Sequence, residues 1–516
     1  MNQRFFTKRS VIKEVGLCLL SAGLLILSFP RADIGILAWI GLVPLFFVLE
    51  GKRSSVAFFI GYLTGVIFFA GTQYWLVHVT ILGMILLILY LGIYFGLFAM
   101  GVRLLDRKPV IVKFFLFPSL WVVLEFLRGS LMTGFGWGSL GLSQYKNLPF
   151  IQIADITGVA GISFLIVMVN FFLKELLVVK GILTVRGPFP VQQLFGIVTT
   201  IFVVVLGYGI YRVQEPQGNS QLSSIKIMVI QANIPQEMKW LPSVWQDIMN
   251  KYLALTQEAT SEKPDLIIWP ETSFPGFLWE SQDLFVILEG FVKGIKIPLL
   301  FGAIIQENDD YYNSAILLSK EGEVMEQYDK IHLVPFGEYI PFRRYCPILT
   351  DIVPIGDFTA GGKWTLFPVG VLNRGPQPQN HFFSVLICFE DTFAYLARQF
   401  SQKGASLLVN ITNDAWFLDT SEPFMHLQSS VFRAIENRKS LVRAANTGVS
   451  CFIDKRGRIF NPVQDHQHKK TYVAGFSMGT VELSQQRTFY TKFGDIFTYL
   501  CFGCILWGII MVKSKK

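Results

Sequence analysis

Long apolar runs fill the first two hundred or so residues of this chain, and another closes it. A helix needs roughly 20 apolar residues to cross the hydrocarbon core of a bilayer, and in lipid every backbone polar group must find a partner within the protein. Such runs are therefore expected to be spanning helices. Seven are predicted in the first part, at 11–29, 35–50, 55–75, 79–102, 111–127, 157–179 and 191–211, with an eighth at 495–512. A basic stretch precedes the first run, as in a secretory leader. However, SAGLLILSFPRADIG has no A-x-A cleavage site and further runs follow, so it reads as a retained helix.

Composition agrees with this reading. Hydrophobic residues make up 52% and charged residues only 16% of the chain, and the mean hydropathy is +0.45. A soluble protein would carry about a quarter charged residues. The Lys and Arg residues set an orientation, because they collect in short cytoplasmic loops. With the N-terminus inside, the cytoplasmic positions hold Arg4, Lys8, Arg9, Lys13, Lys52, Arg53, Arg103, Arg107, Lys108, Lys113, Lys174, Lys180, Arg186, Lys513, Lys515 and Lys516. The opposite loops hold Arg31, Arg128, Lys146 and Arg212, sixteen against four. Both termini are thus expected in the cytoplasm, and the long segment between the seventh and eighth helices outside it.

The net charge of +8 follows from this topology, and no basic tract interleaved with aromatics points to nucleic acid. Of the six cysteines, Cys18, Cys501 and Cys504 fall in predicted membrane helices. Cys346, Cys388 and Cys451 fall outside them, and pairing of Cys346 with Cys451 stays open. No spacing of Cys or His suggests zinc, and no metal or cofactor is expected.

Four regions result: a membrane domain at 1–212, a polar linker at 213–223, an extracytoplasmic domain at 224–482, and a return segment with the last helix at 483–516. Within the third, SIKIMVIQ, DLIIWPE, IPLLFGAIIQ, YYNSAILLSK, HFFSVLICFE, ASLLVNIT, LVRAANTG and KTYVAGFSM read as strands. Helices are predicted near 243–262, 391–403 and 423–438, so this domain is α/β with helix-covered sheets.

Three polar residues sit at or just past strand ends. Glu271 closes DLIIWPE, Lys330 lies in EQYDKIHLVPFGEYIPF, and Cys388 ends the apolar run in SVLICFE. Together they make a workable acyl-transfer set of base, cation and nucleophile. Each alone also has an ordinary structural reading: a core thiol, a helix-capping carboxylate, a solvated lysine. Glu390 and Asp391 follow Cys388 closely, and their charge disfavours a thiolate, so activation has to come from elsewhere in the chain.

WPE, YDKIHLVPFGEYIP and LICFE together resemble the three active-site segments of the nitrilase superfamily. QANIPQEMKW, NSAILL, NDAWF, TFYTKFGD and the membrane segment WVVLEFLRGSLMTGFGWGSLGLSQ make the whole chain similar to that superfamily's membrane-embedded branch, the apolipoprotein N-acyltransferases. The resemblance implies an αββα sandwich inserted between transmembrane helices. It implies Glu271 as base, Lys330 as oxyanion stabiliser, Cys388 as nucleophile, and Glu338 and Glu390 as supporting carboxylates. It further implies a phospholipid donor, typically phosphatidylethanolamine, and as acceptor the diacylglyceryl-cysteine amine of an apolipoprotein. The two react in turn through a thioester, in the bacterial inner membrane. The chain departs from the family pattern at Leu418, where a small residue is usual, and at Gly136, where proline is usual.

Trp240, Phe277 and Trp279 are candidates for a lid over the site, with packing inside the domain as the plainer reading. Glu125 and Arg128, three apart, can meet on one helix face. A tethered amidase acting on a soluble amide would share the triad but has little use for seven preceding helices. A transporter would be expected to carry more ionisable residues at mid-membrane.

Overall fold

A computed structural model describes residues 8–179, 191–215, 224–340, 357–369 and 381–513. The linker from 216 to 223, Cys346, and Arg4, Lys180, Arg186, Lys515 and Lys516 lie outside the described residues. The chain forms two compact units, Met1–Gln214 with Phe493–Lys516, and Glu215–Lys492.

The first unit is helical. Five of its helices are long and apolar enough to cross a membrane: Ser54–Thr72, Ile81–Leu104, Val110–Ser130, Val159–Val178 and Gln192–Gln214. Lys8–Leu27 and Ile496–Lys513 are further apolar helices. Helices Ser54–Thr72 and Ile81–Leu104 lie so close that a Cβ on Gly61 would stand 2.4 Å from the Phe95 carbonyl oxygen. Small residues permit this approach between helices that lipid does not drive together.

The stretch 35–50, expected as one span, is broken into Gly35–Leu37, Ala38–Gly41 and Val43–Leu49. Pro44 opens the last piece and has no N–H to continue a preceding helix. Asn170, fully buried on a neighbouring helix, bridges the separated Leu42 and Ala38 peptide groups. Its Oδ1 accepts from Leu42 N at 2.7 Å and its Nδ2 donates to the Ala38 carbonyl at 2.9 Å. At the end of helix Val110–Ser130, Glu125 accepts from Trp121 and the Leu140 amide, while Arg128 donates to Ser139.

The second unit is built from strands β1 (Ser224–Gln231), β2 (Leu266–Ile268), β3 (Leu299–Glu307), β4 (Asp310–Leu318), β5 (Val324–Asp329), β6 (Phe367–Pro368), β7 (Phe382–Ile387), β8 (Ala405–Thr412), β9 (Ser440–Ala445), β10 (Cys451–Ile453), β11 (Ile459–Phe460) and β12 (Gly475–Glu482). They form two six-stranded sheets with one plan, ordered β12-β1-β2-β3-β4-β5 and β11-β10-β9-β8-β7-β6. In each, three parallel strands, β1-β2-β3 and β9-β8-β7, lie inside antiparallel edges. The central strands are buried along nearly their whole length, as strands covered on both faces must be.

Helices Trp245–Ala259 and Gln282–Ile295 cover the first sheet. Leu284, Leu288 and Val292 recur every fourth residue and enter its core beside Ile267 and Phe301. Ala394–Lys403 and Glu422–Asn437 cover the second sheet. The layers are helix, sheet, sheet, helix, as the family resemblance implies. The strands that pattern reading did not anticipate are β5, β6, β10 and β11. β5 is charged and partly exposed, and the others are two or three residues long.

Candidate active site

The reactive side chains stand at the carboxyl ends of strands, where open α/β sheets leave a crevice. Glu271 follows β2 through Trp269 and Pro270. Its loop rests on β3, where a Cβ at Gly302 would lie 2.6 Å from Glu271 Cα and 2.6 Å from Thr272 N. Only glycine leaves room for that approach. Lys330 is the first residue past β5, and its amide donates to the Asn313 carbonyl at 2.9 Å. Cys388 is the first residue past β7 and opens a short 3-10 turn, Cys388–Thr392.

The structure brings these three together. Lys330 Nζ, 1% exposed, lies 2.8 Å from Glu338 Oε1 and 3.6 Å from Glu271 Oε1. Asn313 Nδ2 donates to both carboxylates, at 2.8 Å each. The Asn413 amide, 142 residues away in the chain, donates to Glu271 Oε2 at 2.8 Å. The Val334 amide donates to Glu338 Oε2 at 2.8 Å. Both oxygens of each carboxylate are thus engaged, which fixes the headgroups before substrate arrives.

Burial works against the charge on Lys330, but Glu338 and Glu271 outweigh it and raise its pKa, so the ammonium persists. The Cys388 thiol is pushed the other way from reactivity. The protein packed around it, and then the Glu271 charge, raise its pKa well above the usual range, with Lys330 opposing. The resting sulfur is therefore a protonated thiol that needs a base at the moment of attack.

Glu390 is held by a different set of donors. Its oxygens accept from Tyr328 Oη at 3.0 Å and from the amides of Ile331, His332 and Ile387 at 2.8, 3.0 and 2.7 Å. It ties the Lys330 loop to the Cys388 turn. Burial pushes its carboxyl up to about 7 against the pull of these donors.

The site also holds backbone strain. Thr272, Phe336, Cys388 and Leu418 all have left-handed φ, at 45°, 60°, 54° and 53°. Each such non-glycine residue costs of order 1–3 kcal/mol and persists only where its surroundings hold it. Leu418, with ψ −165°, sits in a backbone region that favours glycine.

Of the lid candidates, Trp240 and Trp279 are exposed, at 47% and 41%. Phe277 is half-buried, with its ring 5.5 Å from Tyr311. Pattern reading passed over Asn313, Asn413 and Lys239, although each lies in a stretch already singled out: NSAILL, NDAWF and QEMKW. Lys239 Nζ donates to the carbonyls of Glu271 and Thr272 at 3.3 and 3.2 Å and to Thr272 Oγ1 at 3.0 Å. Burial pushes its ammonium down to about 7.

Behind Cys388 lies a second charged group, fully buried: Asp391, Asp414, Glu422, His426 and Arg443. Asp414, Glu422 and His426 stand close enough to share a cation. Arg443 already supplies that charge, its Nη2 lying 3.1 Å from Asp414 Oδ2 and 2.7 Å from His426 Nδ1. Cys451 is a buried free thiol.

Residues 21–172 match the family model described as apolipoprotein N-acyltransferase N-terminal domain, and 226–486 match that of carbon-nitrogen hydrolase. An apolipoprotein N-acyltransferase of Geobacter metallireducens is 37% identical over 94% of this chain and 92% of its own. One of Haemophilus ducreyi is 29% identical over 95% of each. Among solved structures, an amidase from Nesterenkonia sp. aligns with 51% of this chain and 92% of its own, at 17% identity and a TM-score of 0.38.

Proposed function

The chain belongs to the apolipoprotein N-acyltransferase family, and on that premise we propose how its residues N-acylate the diacylglyceryl-cysteine that begins an apolipoprotein. Glu271 takes the Cys388 proton as the sulfur attacks the sn-1 ester of a phospholipid, phosphatidylethanolamine being the expected donor. Lys330 stabilises the oxyanion, Glu271 returns the proton to the departing lysophospholipid oxygen, and a thioester remains. The acceptor's free α-amine then attacks that thioester and yields its proton to Glu271, and the thiol regains a proton as the amide leaves. Splitting the transfer lets one site serve two bulky lipids in succession.

The observation that carries this reading is the contrast between thiol and carboxylate. Cys388 is held protonated, while Glu271 accepts from Asn313 and Asn413 and faces Lys330 at 3.6 Å. The site thus pairs a nucleophile that needs a base with a carboxylate locked in place. Five apolar helices make the chain a membrane protein. Its charge asymmetry supports an inner-membrane location with cytoplasmic termini and the second unit in the periplasm.

Phosphatidylethanolamine labelled in its sn-1 chain tests the reaction. Label should appear on Cys388 and pass to the amine of a lipopeptide. Cys388→Ala should abolish labelling, and Lys330→Ala should slow it by about 10²–10³. Wild-type labelling in Cys388→Ala, or ammonia release from small amides without any acyl-enzyme, would overturn the scheme.

A thioester survives only if water is kept out. The exposed Trp240 and Trp279 support a lid formed by their two loops, with Phe277 packed beneath it against Tyr311. Trp279→Asp should then depress turnover of membrane-embedded donor far more than hydrolysis of a short soluble thioester. Equal losses would dismiss the lid.

A further inference from the structure

The buried charges behind Cys388 take no part in the chemistry just described, yet they touch the nucleophile at one atom. The Cys388 carbonyl oxygen accepts from Asn410 Nδ2 at 2.9 Å and faces His426 Nε2 at 3.1 Å. His426 Nε2 also lies 2.8 Å from Asp391 Oδ1. On the other side of the ring, Nδ1 meets Arg443 Nη2 at 2.7 Å. Against burial and the Arg443 charge, Asp391 and Asp414 raise the imidazole pKa to about 10. Nε2 carries a proton in either state of the ring, because a neutral ring would accept from the Arg443 guanidinium at Nδ1. Asp414 Oδ1, 3.2 Å from the same Nδ1, accepts a hydrogen bond from Thr412 Oγ1 at 2.7 Å. Arg443 is itself fixed by Asn410 Oδ1 at 2.7 Å and Asp414 Oδ2 at 3.1 Å. Asp391 accepts a short hydrogen bond from Ser430.

We propose that His426 is a positioning residue for the nucleophile: with Asn410 it holds the Cys388 carbonyl, and so keeps residue 388 in its left-handed conformation. A cysteine at φ 54° would relax unless the next peptide plane were held. That plane contains the Cys388 carbonyl and, trans to it, the Phe389 N–H, so two donors on the oxygen fix both groups. Arg443 acts one step further back, by packing Nη2 against Nδ1 on the far side of the ring. The conjugate pair of Asn410 bonds, one to Cys388 and one to Arg443, joins the two supports into a single frame.

This inference rests on Cys388 being the nucleophile, and the experiment separates the two ideas. Acyl-enzyme formation from labelled phospholipid is followed in single turnover for the wild type and for His426→Gln, His426→Asn and His426→Leu, with melting temperatures alongside. Gln places an amide N–H near the position of Nε2, and Asn stops short of it. We expect Leu and Asn to slow Cys388 acylation by about 100-fold, a typical cost of a misplaced reacting group, at an unchanged donor KM. Gln should recover to within about tenfold of wild type. Should Leu fail to fold, the Gln and Asn pair decides. Equal rates for Gln and Asn, or a folded Leu variant that acylates like wild type, would overturn the positioning role. A wild-type enzyme that labels somewhere other than Cys388 would instead overturn the choice of nucleophile.

Discussion

The two sheets of the second unit share a strand plan but treat charge in opposite ways. The first sends Glu271, Lys330 and Glu338 forward into the crevice, where the heads meet within 3.6 Å. The second keeps Asp391, Asp414, Glu422, His426 and Arg443 behind its strand ends and presents the Cys388 thiol. Forward charges can exchange a proton and stabilise an oxyanion. Charges held behind can only fix a backbone, and they do so through the Cys388 carbonyl. The acid–base charges and the charged support of the nucleophile's backbone are thus assigned to different halves of one sandwich.

That division can be broken most severely at Glu271. Glu271→Gln keeps the shape and the Asn413 bond but removes the base and turns an amide N–H toward Asn313, so acyl-enzyme formation should fall by about 10²–10⁴ in a protein that still folds, with a lowered melting temperature. A rate within a few-fold of wild type would mean that the proton leaves by another route, and the contrast between the sheets would lose its forward half.

Glu390 is the link between the halves and should show it in pH dependence. Its folded-state pKa, about 7, lies above the roughly 4.3 of a free glutamate. Between those values the folded protein binds more protons than the unfolded one, so this group's contribution to stability falls as pH rises through the window. The melting temperature of wild type relative to Glu390→Gln should therefore decline from pH 4.5 to pH 7 and level off above. A difference independent of pH would show that Glu390 keeps its charge throughout.

The smallest effect is expected at Leu418, where strain has no charged support. Leu418→Gly should relieve it and stabilise the protein by about 1 kcal/mol, read as a rise in melting temperature, without altering acylation. A loss of stability would mean that the half-exposed leucine side chain packs usefully despite its backbone.

Much of the fold was legible in sequence because its signals are local. Apolar runs specify helices in lipid, and apolar strands with turn residues between them mark a covered sheet. The break at residues 35–50 was not legible, because it depends on Asn170 reaching across from another helix to take up the Leu42 N–H and the Ala38 carbonyl. Helix Gln282–Ile295 was missed for a related reason. Its run FVILEGFV suits a strand as well as a helix, and only the packing of Leu284, Leu288 and Val292 on the first sheet decides.

At the site the same line separates what was read from what was not. Sequence alone determined the reactive types: a carboxylate and a thiol at the ends of apolar strands and an ammonium in a mixed polar stretch, all in segments shared with a known superfamily. Tertiary structure alone decided that the Asn413 amide would close on Glu271 from 142 residues away, and that Arg443 would set the histidine behind Cys388. Local pattern follows from the few bonds each residue makes with its chain neighbours. The meeting of distant polar atoms depends on the register of whole sheets, which no short stretch encodes.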